Sequence, residues 1–308
     1  MKALRYAVIG TGAIGGYFGG KLASMGNDVH FLLHSDYTQV KENGLRVDSV
    51  KGNFIIHPAK AYHHTAEMPP CDVVFVCLKT NQNPLLKSLL PPLLHENSLV
   101  ILLQNGIGVE QQLAVQFPTL AIAGGLAFIC SHKAAPGHIV HEDLGRLKIG
   151  MYNGKENTFL AQVCADFTQA DVPCEMTDDL NSARWQKLLW NIPYNGLSVV
   201  LDTTTDTLMQ QPDARTLVFD LMLEVVEAAQ HCGATLTRDA AEKMMAMTDR
   251  MKPYAPSMML DFQHKRPMEI DAIYTQAIAT ASRAGYDMRK TSMLEQELRF
   301  IQDGYLKQ

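Results

Sequence analysis

Short apolar runs alternate with helix-like stretches along the first half of the chain. The apolar runs are rich in Val, Ile and Leu and lie at residues 4–9, 29–33, 72–78, 99–103 and 121–129. Strands that are apolar along their whole length are typical of a parallel sheet covered on both faces, and the alternation with helices indicates the same architecture. The pattern predicts an α/β domain with a parallel sheet. Residues 44–56 differ, because an alternating run and a Lys51-Gly52-Asn53 turn predict an inserted β-hairpin there.

The second half of the chain has a helical pattern. From Asn181 onward Ala, Leu, Met, Glu, Lys and Gln dominate, and apolar positions recur at helical spacing in residues 217–229 and 268–284. Polar residues 177–179 precede Leu180 and offer a helix N-cap. We therefore predict a dinucleotide-binding domain at residues 1–178 and an all-helical substrate-binding and catalytic domain at residues 179–308.

Composition narrows the class of protein. A net charge of −5 gives no overall attraction to nucleic acid or to anionic lipid, so neither partner is expected. No apolar run reaches the roughly eighteen residues needed to cross a bilayer. The cysteines are scattered without a C-x-x-C pair, and no signal-peptide pattern precedes the first strand. These features predict a cytoplasmic protein with reduced thiols.

A glycine-rich turn follows the first predicted strand, with the sequence Gly10-Thr11-Gly12-Ala13-Ile14-Gly15. In the motif G-x-G-x-x-G the first glycine permits a tight turn, the second lets a pyrophosphate approach the backbone, and the third allows close contact between helix and strand. The N-terminus of the following helix offers N–H groups and a favourable dipole. The turn predicts a dinucleotide site made by Gly10, Gly12, Ala13, Ile14 and Gly15.

The end of the second strand bears on the choice between the two nicotinamide cofactors. An acidic residue there binds the adenosine ribose and disfavours a 2′-phosphate. The sequence has His34 and Ser35, which can donate hydrogen bonds to a phosphate, and then Asp36, which we expect just beyond the strand. We predict NADP(H), with His34 as a contact to the phosphate, while Asp36 leaves NAD(H) open.

Six further motifs follow in a fixed order. They are Cys77-Leu78-Lys79-Thr80, Leu103-Gln104-Asn105-Gly106, Trp185-Gln186-Lys187-Leu188-Leu189-Trp190-Asn191, Asn195-Gly196, Pro256-Ser257-Met258-Met259 and Arg266-Pro267-Met268-Glu269-Ile270-Asp271. Over nearly the whole chain this order resembles the ketopantoate reductase (2-dehydropantoate 2-reductase) family. The resemblance implies a Rossmann-type N-terminal domain, a helical C-terminal domain, and NADPH-dependent reduction of 2-dehydropantoate to (R)-pantoate in pantothenate biosynthesis. It departs from the family at His34, where most members have an arginine.

Lys187 is the candidate proton donor. Addition of hydride to a carbonyl builds negative charge on oxygen, so a ketone reductase needs a donor at that atom. Trp185, Leu188, Leu189 and Trp190 surround Lys187 in the sequence and would desolvate its ammonium, which lowers the pKa of a lysine. We predict Lys187 as the general acid, the role that the resemblance also implies. The alternative is a solvated helix lysine.

Asn191 and Asn195 lie four and eight residues after Lys187, so an unbroken helix puts all three on one face. Pro193 predicts a kink or an end of the helix between them. The resemblance implies that both asparagines hydrogen-bond the substrate.

The remaining candidates take their roles from the resemblance. It implies that Ser257 meets the substrate carboxylate, that Glu269 meets its hydroxyl, and that Lys79 and Asn105 face the nicotinamide and the substrate. Lys79 and Asn105 follow predicted parallel strands, where ligands bind in an open α/β sheet. Three of these residues have a structural alternative. Lys79 and Asn105 could serve only as turn residues, and Glu269 could be a solvated glutamate on a helix.

Other functions stay open on the sequence. The pairs His63-His64 and His138 with His141 lack a complete ligand set, so we expect no metal site. One alternative is another two-domain dehydrogenase acting on a different small 2-oxo acid. A second is a non-enzymatic dinucleotide sensor, although a sensor has no need of a proton donor such as Lys187. Helical second domains of this kind often pair, so a homodimer is the expected assembly.

Overall fold

A computed structural model describes residues 3–154 and 158–307, and the chain divides into two compact units. The first unit comprises residues 1–104 and 109–180, and the second comprises residues 105–108 and 181–308. The short loop Asn105–Gly108 therefore groups with the second unit, although it directly follows a strand of the first. In the part of the chain that is described, no helix is long and apolar enough to span a membrane.

One mixed sheet forms the centre of the first unit. Its strands are β1 (Arg5–Ile9), β2 (Asp28–Leu32), β3 (Leu45–Ser49), β4 (Phe54–Ile56), β5 (Lys60–Tyr62), β6 (Val73–Val76), β7 (Leu99–Leu102), β8 (Ala121–Ala135), β9 (His138–Met151) and β10 (Cys174–Met176). Their order across the sheet is β4, β3, β9, β8, β7, β6, β1, β2, β5, with β10 beside β9. From β5 through β2, β1, β6 and β7 to β8, each strand pairs in parallel with the next, which confirms the predicted parallel sheet.

Two antiparallel pairs extend this parallel core. The predicted hairpin is present as β3 and β4, with Leu45 opposite Ile56. The longer pair, β8 with β9, was not predicted, and β8 continues well beyond residue 129. Along β9 buried and exposed positions partly alternate, as in an antiparallel strand with one covered face. A search for strands that are apolar along their whole length therefore does not find β9.

The helices of the first unit are α1 (Ala13–Ser24), α2 (Tyr37–Asn43), α3 (Leu86–Leu89), α4 (Val109–Gln116) and α5 (Thr158–Gln169). Helix α1 packs against the sheet through its glycines. A Cβ atom on Gly19 would lie 2.8 Å from both Val8 and Phe31, and one on Gly16 would lie 2.7 Å from Ile139. The glycines therefore bring the start of α1, and the turn before it, close to the strands.

The second unit is helical, as predicted. Its helices are α6 (Leu180–Val200), α7 (Thr205–Gln210), α8 (Pro212–His231), α9 (Arg238–Thr248), α10 (Ser257–Gln263), α11 (Gln276–Arg283) and α12 (Arg289–Leu306), and a π-helical turn at Asp271–Thr275 precedes α11. Helix α6 runs through the core of this unit and contributes the buried side chains of Trp185, Leu188 and Ile192.

Helix α6 does not end at Pro193. Its helical geometry continues to Val200, although the proline supplies no N–H to the carbonyl of Leu189. The buried hydroxyl of Tyr274, in the π-helical turn, donates a hydrogen bond of 2.9 Å to the carbonyl of Ile192. This contact anchors the π-helical turn to α6 beside the proline. Both asparagines of α6 lie on one continuous helix.

We predict that Glu224 stabilises the packing of α8 against the start of α12. Its buried carboxylate accepts hydrogen bonds from the N–H groups of Lys290 and Thr291, both at 2.8 Å, and from the Thr291 hydroxyl at 2.7 Å. The substitution Glu224→Ala leaves these donors without an acceptor and is expected to lower the free energy of unfolding by about 2–3 kcal/mol. Urea denaturation followed by circular dichroism measures the change.

The matched control is Glu242→Ala, which removes an exposed carboxylate paired with Arg238 on α9. An exposed pair at this spacing contributes about 0.5 kcal/mol or less. Equal losses of stability in the two variants would contradict the role assigned to Glu224.

Candidate active site

The glycine-rich turn has the backbone geometry that a pyrophosphate needs. Gly10 has φ of +92°, and a Cβ atom there would lie 2.8 Å from the backbone nitrogen of Leu78. A Cβ on Gly15 would lie 2.3 Å from the carbonyl oxygen of Gly10. Gly12 differs from both, because no atom of the described residues lies within 4 Å of the position of its Cβ. Gly10 and Gly15 thus allow the turn to form, while Gly12 leaves its outer side open.

The start of α1 adds an electrostatic preference for an anion. Gly12 is its N-cap residue, and no side chain in the described part of the chain caps the helix there. The first turn, which includes Ala13 and Ile14, has no acidic side chain. The N–H groups and the positive end of the helix dipole therefore meet no competing negative group from the first turn. The turn and the helix start together fit the diphosphate of a dinucleotide.

Beyond β2, Asp36 is bound within the protein. Its carboxylate accepts hydrogen bonds from Lys133 Nζ at 2.9 and 3.1 Å, from the Gly137 N–H at 3.1 Å and from the Ser35 hydroxyl at 2.9 Å. Burial alone would raise the pKa of Asp36, but these hydrogen bonds outweigh burial and lower it. Both carboxylate oxygens of Asp36 thus accept hydrogen bonds from the protein. Asp36, the acidic residue that left NAD(H) open in the sequence analysis, therefore has a structural role. His34 is exposed to solvent at the same end of β2.

Lys79 and Asn105 follow neighbouring strands but belong to different units. Lys79 is the N-cap residue of a 3₁₀ turn at Thr80–Leu85, shortly after β6. Gln104, which follows β7, donates to the Leu78 carbonyl at 2.8 Å and to Asn83 Oδ1 at 2.6 Å, and so joins the ends of β6 and β7. Asn105, the next residue, is grouped with the helical unit.

The loop that carries Asn105 is held against the π-helical turn. The Ile107 N–H donates to the carbonyl of Ala272 at 3.0 Å, and a Cβ on Gly106 would lie 2.3 Å from that same oxygen. Gly106 also has φ of +93°. A glycine is therefore required here, and it brings Asn105 to a segment that begins two residues after Glu269.

Lys187 lies on α6 in a group of charged side chains. Burial is the main cause that lowers the pKa of Lys187, and the positive charge of Arg184 lowers it further; the negative charge of Glu269 acts in the opposite direction, and the pKa is about 7. Arg184 and Glu269 are themselves buried, at 3% and 5% exposure. Burial and Arg184 together therefore outweigh Glu269, and the net effect lowers the pKa of Lys187 toward neutral pH.

Asn191 and Asn195 continue the face of α6 that carries Lys187. Asn191 is buried, and within the described residues its Nδ2 has no hydrogen-bond partner. A buried donor without an acceptor costs about 1–3 kcal/mol, so this amide is suited to meet a ligand oxygen. Asn195 Oδ1 accepts a hydrogen bond of 3.2 Å from the Met258 N–H at the start of α10. That bond brings Ser257, the first residue of α10, next to Asn195.

The sequence-based reasoning missed two residues of this region, Arg184 and Tyr274. Arg184 precedes Lys187 by three residues, and this spacing on one helix face was the available signal. Tyr274 gave no signal, because its contact with α6 joins residues far apart in the chain. Across residues 3–154 and 158–307, no three His, Cys, Asp or Glu side chains are grouped so that they could hold a metal ion.

Comparisons with known proteins agree over the whole chain. Residues 6–154 match the family model described as "Ketopantoate reductase PanE/ApbA", and residues 179–302 match "Ketopantoate reductase PanE/ApbA C terminal". A 2-dehydropantoate 2-reductase from Nostoc sp. is 44% identical and aligns over 98% of this chain and 96% of its own length.

Solved structures give the same result. A crystal structure of 2-dehydropantoate 2-reductase from Geobacter metallireducens GS-15 has a TM-score of 0.93 at 40% identity and covers 96% of this chain and 99% of its own. The ternary structure of D-mandelate dehydrogenase with NADH and anilino(oxo)acetate has a TM-score of 0.90 at 20% identity, covering 98% and 99% of the two chains. The latter similarity shows a common fold.

The two glycines at the start of α1 are predicted to respond differently to the same substitution. Gly15→Ala places a methyl group against the Gly10 carbonyl and should lower the free energy of unfolding by about 2–3 kcal/mol. Gly12→Ala has room for the methyl group in the protein alone, so stability should change by less than about 0.5 kcal/mol. The methyl group occupies the side that a pyrophosphate approaches, and NADPH should bind about tenfold or more weakly.

Thermal unfolding without cofactor and a fluorescence titration with NADPH separate the two effects. Unchanged NADPH affinity in a folded Gly12→Ala variant would contradict the placement of the pyrophosphate at this turn.

Proposed function

Because the chain belongs to the ketopantoate reductase family, we propose that it reduces 2-dehydropantoate to (R)-pantoate with NADPH, with Lys187 as the general acid. The protein is an oxidoreductase, and the reaction is a step of pantothenate biosynthesis. The observation that carries the assignment is the half-buried Lys187 side chain, whose pKa is lowered by burial and by Arg184 to about 7, a value that suits a proton donor at neutral pH.

The residues that would hold the cofactor lie on the glycine-rich turn and at three strand ends. Gly10, Gly12, Ala13, Ile14 and Gly15 fit the pyrophosphate. We assign His34 to the 2′-phosphate, and Lys79 and Asn105 to the nicotinamide half. The family uses NADPH, and the engagement of Asp36 with Lys133 supports that preference here. When bound, the cofactor supplies the hydride that adds to the ketone carbon.

Lys187 acts at the ketone oxygen. As negative charge develops on this oxygen, the ammonium of Lys187 donates a hydrogen bond and then its proton, which yields the hydroxyl of the product. A lysine of ordinary pKa would hold its proton too tightly for efficient transfer near pH 7, and burial removes this obstacle. The negative charge of Glu269 raises the pKa of Lys187 against burial and Arg184, and so favours the charged form that donates the proton.

We assign five polar side chains to orienting the substrate. Asn191 offers its buried Nδ2 to a substrate oxygen, and Asn195 is fixed by its bond to α10. Ser257 is assigned to the substrate carboxylate and Glu269 to the hydroxyl of the acyl chain. Asn105 completes the set from the loop beside the π-helical turn. A sensor would have no use for a lysine with a lowered pKa on the same helix as the buried Asn191 amide, so an enzyme is favoured.

We also propose roles for the two domains, a cellular location and an assembly of two copies. We assign cofactor binding to residues 1–178 and substrate binding to residues 179–308. Free thiols at all six cysteines support a cytoplasmic location. Phe300 and Met293 on α12 are 83% and 63% exposed, and exposed apolar side chains of this size on a helical unit support pairing of two copies.

The absorbance of NADPH reports the reaction directly. With 2-dehydropantoate, we expect NADPH oxidation in the wild type and a decrease in kcat by a factor of about 10²–10⁴ in Lys187→Ala. Because only the protonated lysine is a general acid, kcat/KM should be constant at low pH and fall about tenfold per pH unit above about pH 7. Lys187→Arg keeps the charge but holds its proton, so its low activity should lack this inflection.

No NADPH or NADH oxidation with 2-dehydropantoate would overturn the substrate assignment. Wild-type kcat in Lys187→Ala would remove Lys187 from the chemical step.

Glu269 is predicted to set the position of the pH profile as well as to bind substrate. Since its negative charge raises the pKa of Lys187, Glu269→Gln should lower that pKa and move the fall in kcat/KM to lower pH. Loss of the hydroxyl contact should also raise KM. Profiles of kcat/KM against pH for the wild type, Glu269→Gln and the exposed control Glu242→Gln test this. An inflection at the same pH in all three proteins would show that Glu269 does not act on Lys187.

A further inference from the structure

Three histidines leave the sheet side by side at the ends of β2 and β5. The two strands are parallel, with Leu32 opposite Tyr62, and the Leu33 N–H donates to the Tyr62 carbonyl at 2.9 Å. His34 follows β2, and His63 and His64 follow β5. The ring centroids of His34 and His63 are 6.0 Å apart, and those of His63 and His64 are 4.7 Å apart. The parallel pairing therefore gathers three imidazoles at one edge of the sheet.

These imidazoles are exposed and have no evident structural function. Within the described residues, none of the three rings makes a hydrogen bond or an ion pair. The His63 ring does stack on Tyr37, with centroids 5.4 Å apart and planes at 16°, which restricts its orientation. The ring N–H groups thus face solvent, and the orientation of the His63 ring is restricted by Tyr37.

Most charged and titratable groups near the three histidines are paired with other residues. On the segment after β2, Asp36 is bound to Lys133, and Lys41 Nζ donates to the Tyr37 hydroxyl at 2.8 Å. On β5, the Tyr62 hydroxyl is bound to His30 at 3.0 Å. Glu67, on the turn after β5, acts on Lys41. With Asp36 neutralised by Lys133, the edge of the sheet at His34 favours an anion.

We propose that His34, His63 and His64 together bind the 2′-phosphate of NADPH, and that protonation of these imidazoles sets the preference for NADPH over NADH. The inference rests on the proposed function, because it takes the pyrophosphate to be bound at the glycine-rich turn. In this class of fold the adenosine ribose lies at the end of the second strand, which here is β2. His63 and His64 would thus be specificity-determining residues supplied by a neighbouring strand.

The chemistry of the ligand gives the direction of the pH effect. A phosphate monoester is a dianion above its second ionisation at about pH 6, and imidazolium N–H groups form charge-assisted hydrogen bonds to it. Histidine changes its charge between about pH 5 and 8, whereas a guanidinium stays charged throughout. Binding of the 2′-phosphate should therefore weaken as pH rises from about 6.5 to about 8.5, with no such change for the rest of the dinucleotide.

Two nucleotide fragments isolate the phosphate. Adenosine 2′,5′-bisphosphate carries the 2′-phosphate, and 5′-AMP lacks it. By calorimetric titration of the wild type we expect affinity for the bisphosphate to fall about tenfold between about pH 6.5 and about pH 8.5, and affinity for 5′-AMP to change less than about twofold. His63→Gln and His64→Gln should each weaken bisphosphate binding by about five- to tenfold at the lower pH and reduce its pH dependence.

His231→Gln is the matched control, because His231 is also exposed and its ring lies near that of a tyrosine, Tyr286, at 5.0 Å. It should bind both fragments as the wild type does. Bisphosphate affinity that is the same in His63→Gln, His64→Gln and the control would overturn the proposal, as would a wild-type affinity that does not change with pH.

The outcome is separate from that of the proposed reaction. If NADPH is oxidised with 2-dehydropantoate while the histidine variants bind the bisphosphate normally, the histidine site is wrong and the reductase assignment stands. If the fragments bind as predicted but 2-dehydropantoate is not reduced, the histidine site stands and the substrate assignment is wrong.

Discussion

The desolvated ammonium of Lys187 is the feature on which the proposed catalytic region depends. Burial of a lysine is unfavourable for its charged form, and a nearby carboxylate is the usual means of keeping that form populated. Here Arg184 adds to the effect of burial, and Glu269 opposes both. The three charges must therefore be held in fixed positions, because a small displacement of Glu269 would change how readily Lys187 gives up its proton.

The second unit fixes these positions through helix α6 and the π-helical turn. Trp185, Leu188 and Ile192 bury one side of α6 in the core, which leaves the face with Lys187 and Asn191 in a set orientation. The hydroxyl of Tyr274 ties the π-helical turn to this helix, and Glu269 comes just before that turn. Turns of π-helix are frequent at functional sites, and this one brings together Glu269 and the loop of Asn105.

The cofactor-binding region combines a rigid part with a variable one. Gly10 and Gly15 are fixed by close backbone contacts, so any other residue there disturbs the turn itself. His34, His63 and His64, at the ends of β2 and β5, have no such constraint, because their side chains are exposed. Cofactor preference can therefore differ between proteins that share this fold, while the binding mode of the pyrophosphate stays the same.

Features that depend on local periodicity were determined by the sequence. The parallel strands, the glycine-rich turn, the helical second half and the common helix face of Lys187, Asn191 and Asn195 all follow from patterns within short segments. Recognition of the motif order added the family, and with it Ser257 and Glu269, which no local pattern distinguishes from ordinary polar helix residues.

Only the tertiary structure decided the features that join distant segments. Asp36 is 97 residues from Lys133, and their hydrogen bond turned an ambiguous acidic residue into a structural one. The antiparallel pairing of β8 with β9, the assignment of Asn105 to the helical unit and the grouping of His34 with His63 and His64 have the same origin. Strand pairing and the neutralisation of a charge depend on which groups lie close together in space. A pattern along the chain shows each of these groups but not the partner that it meets.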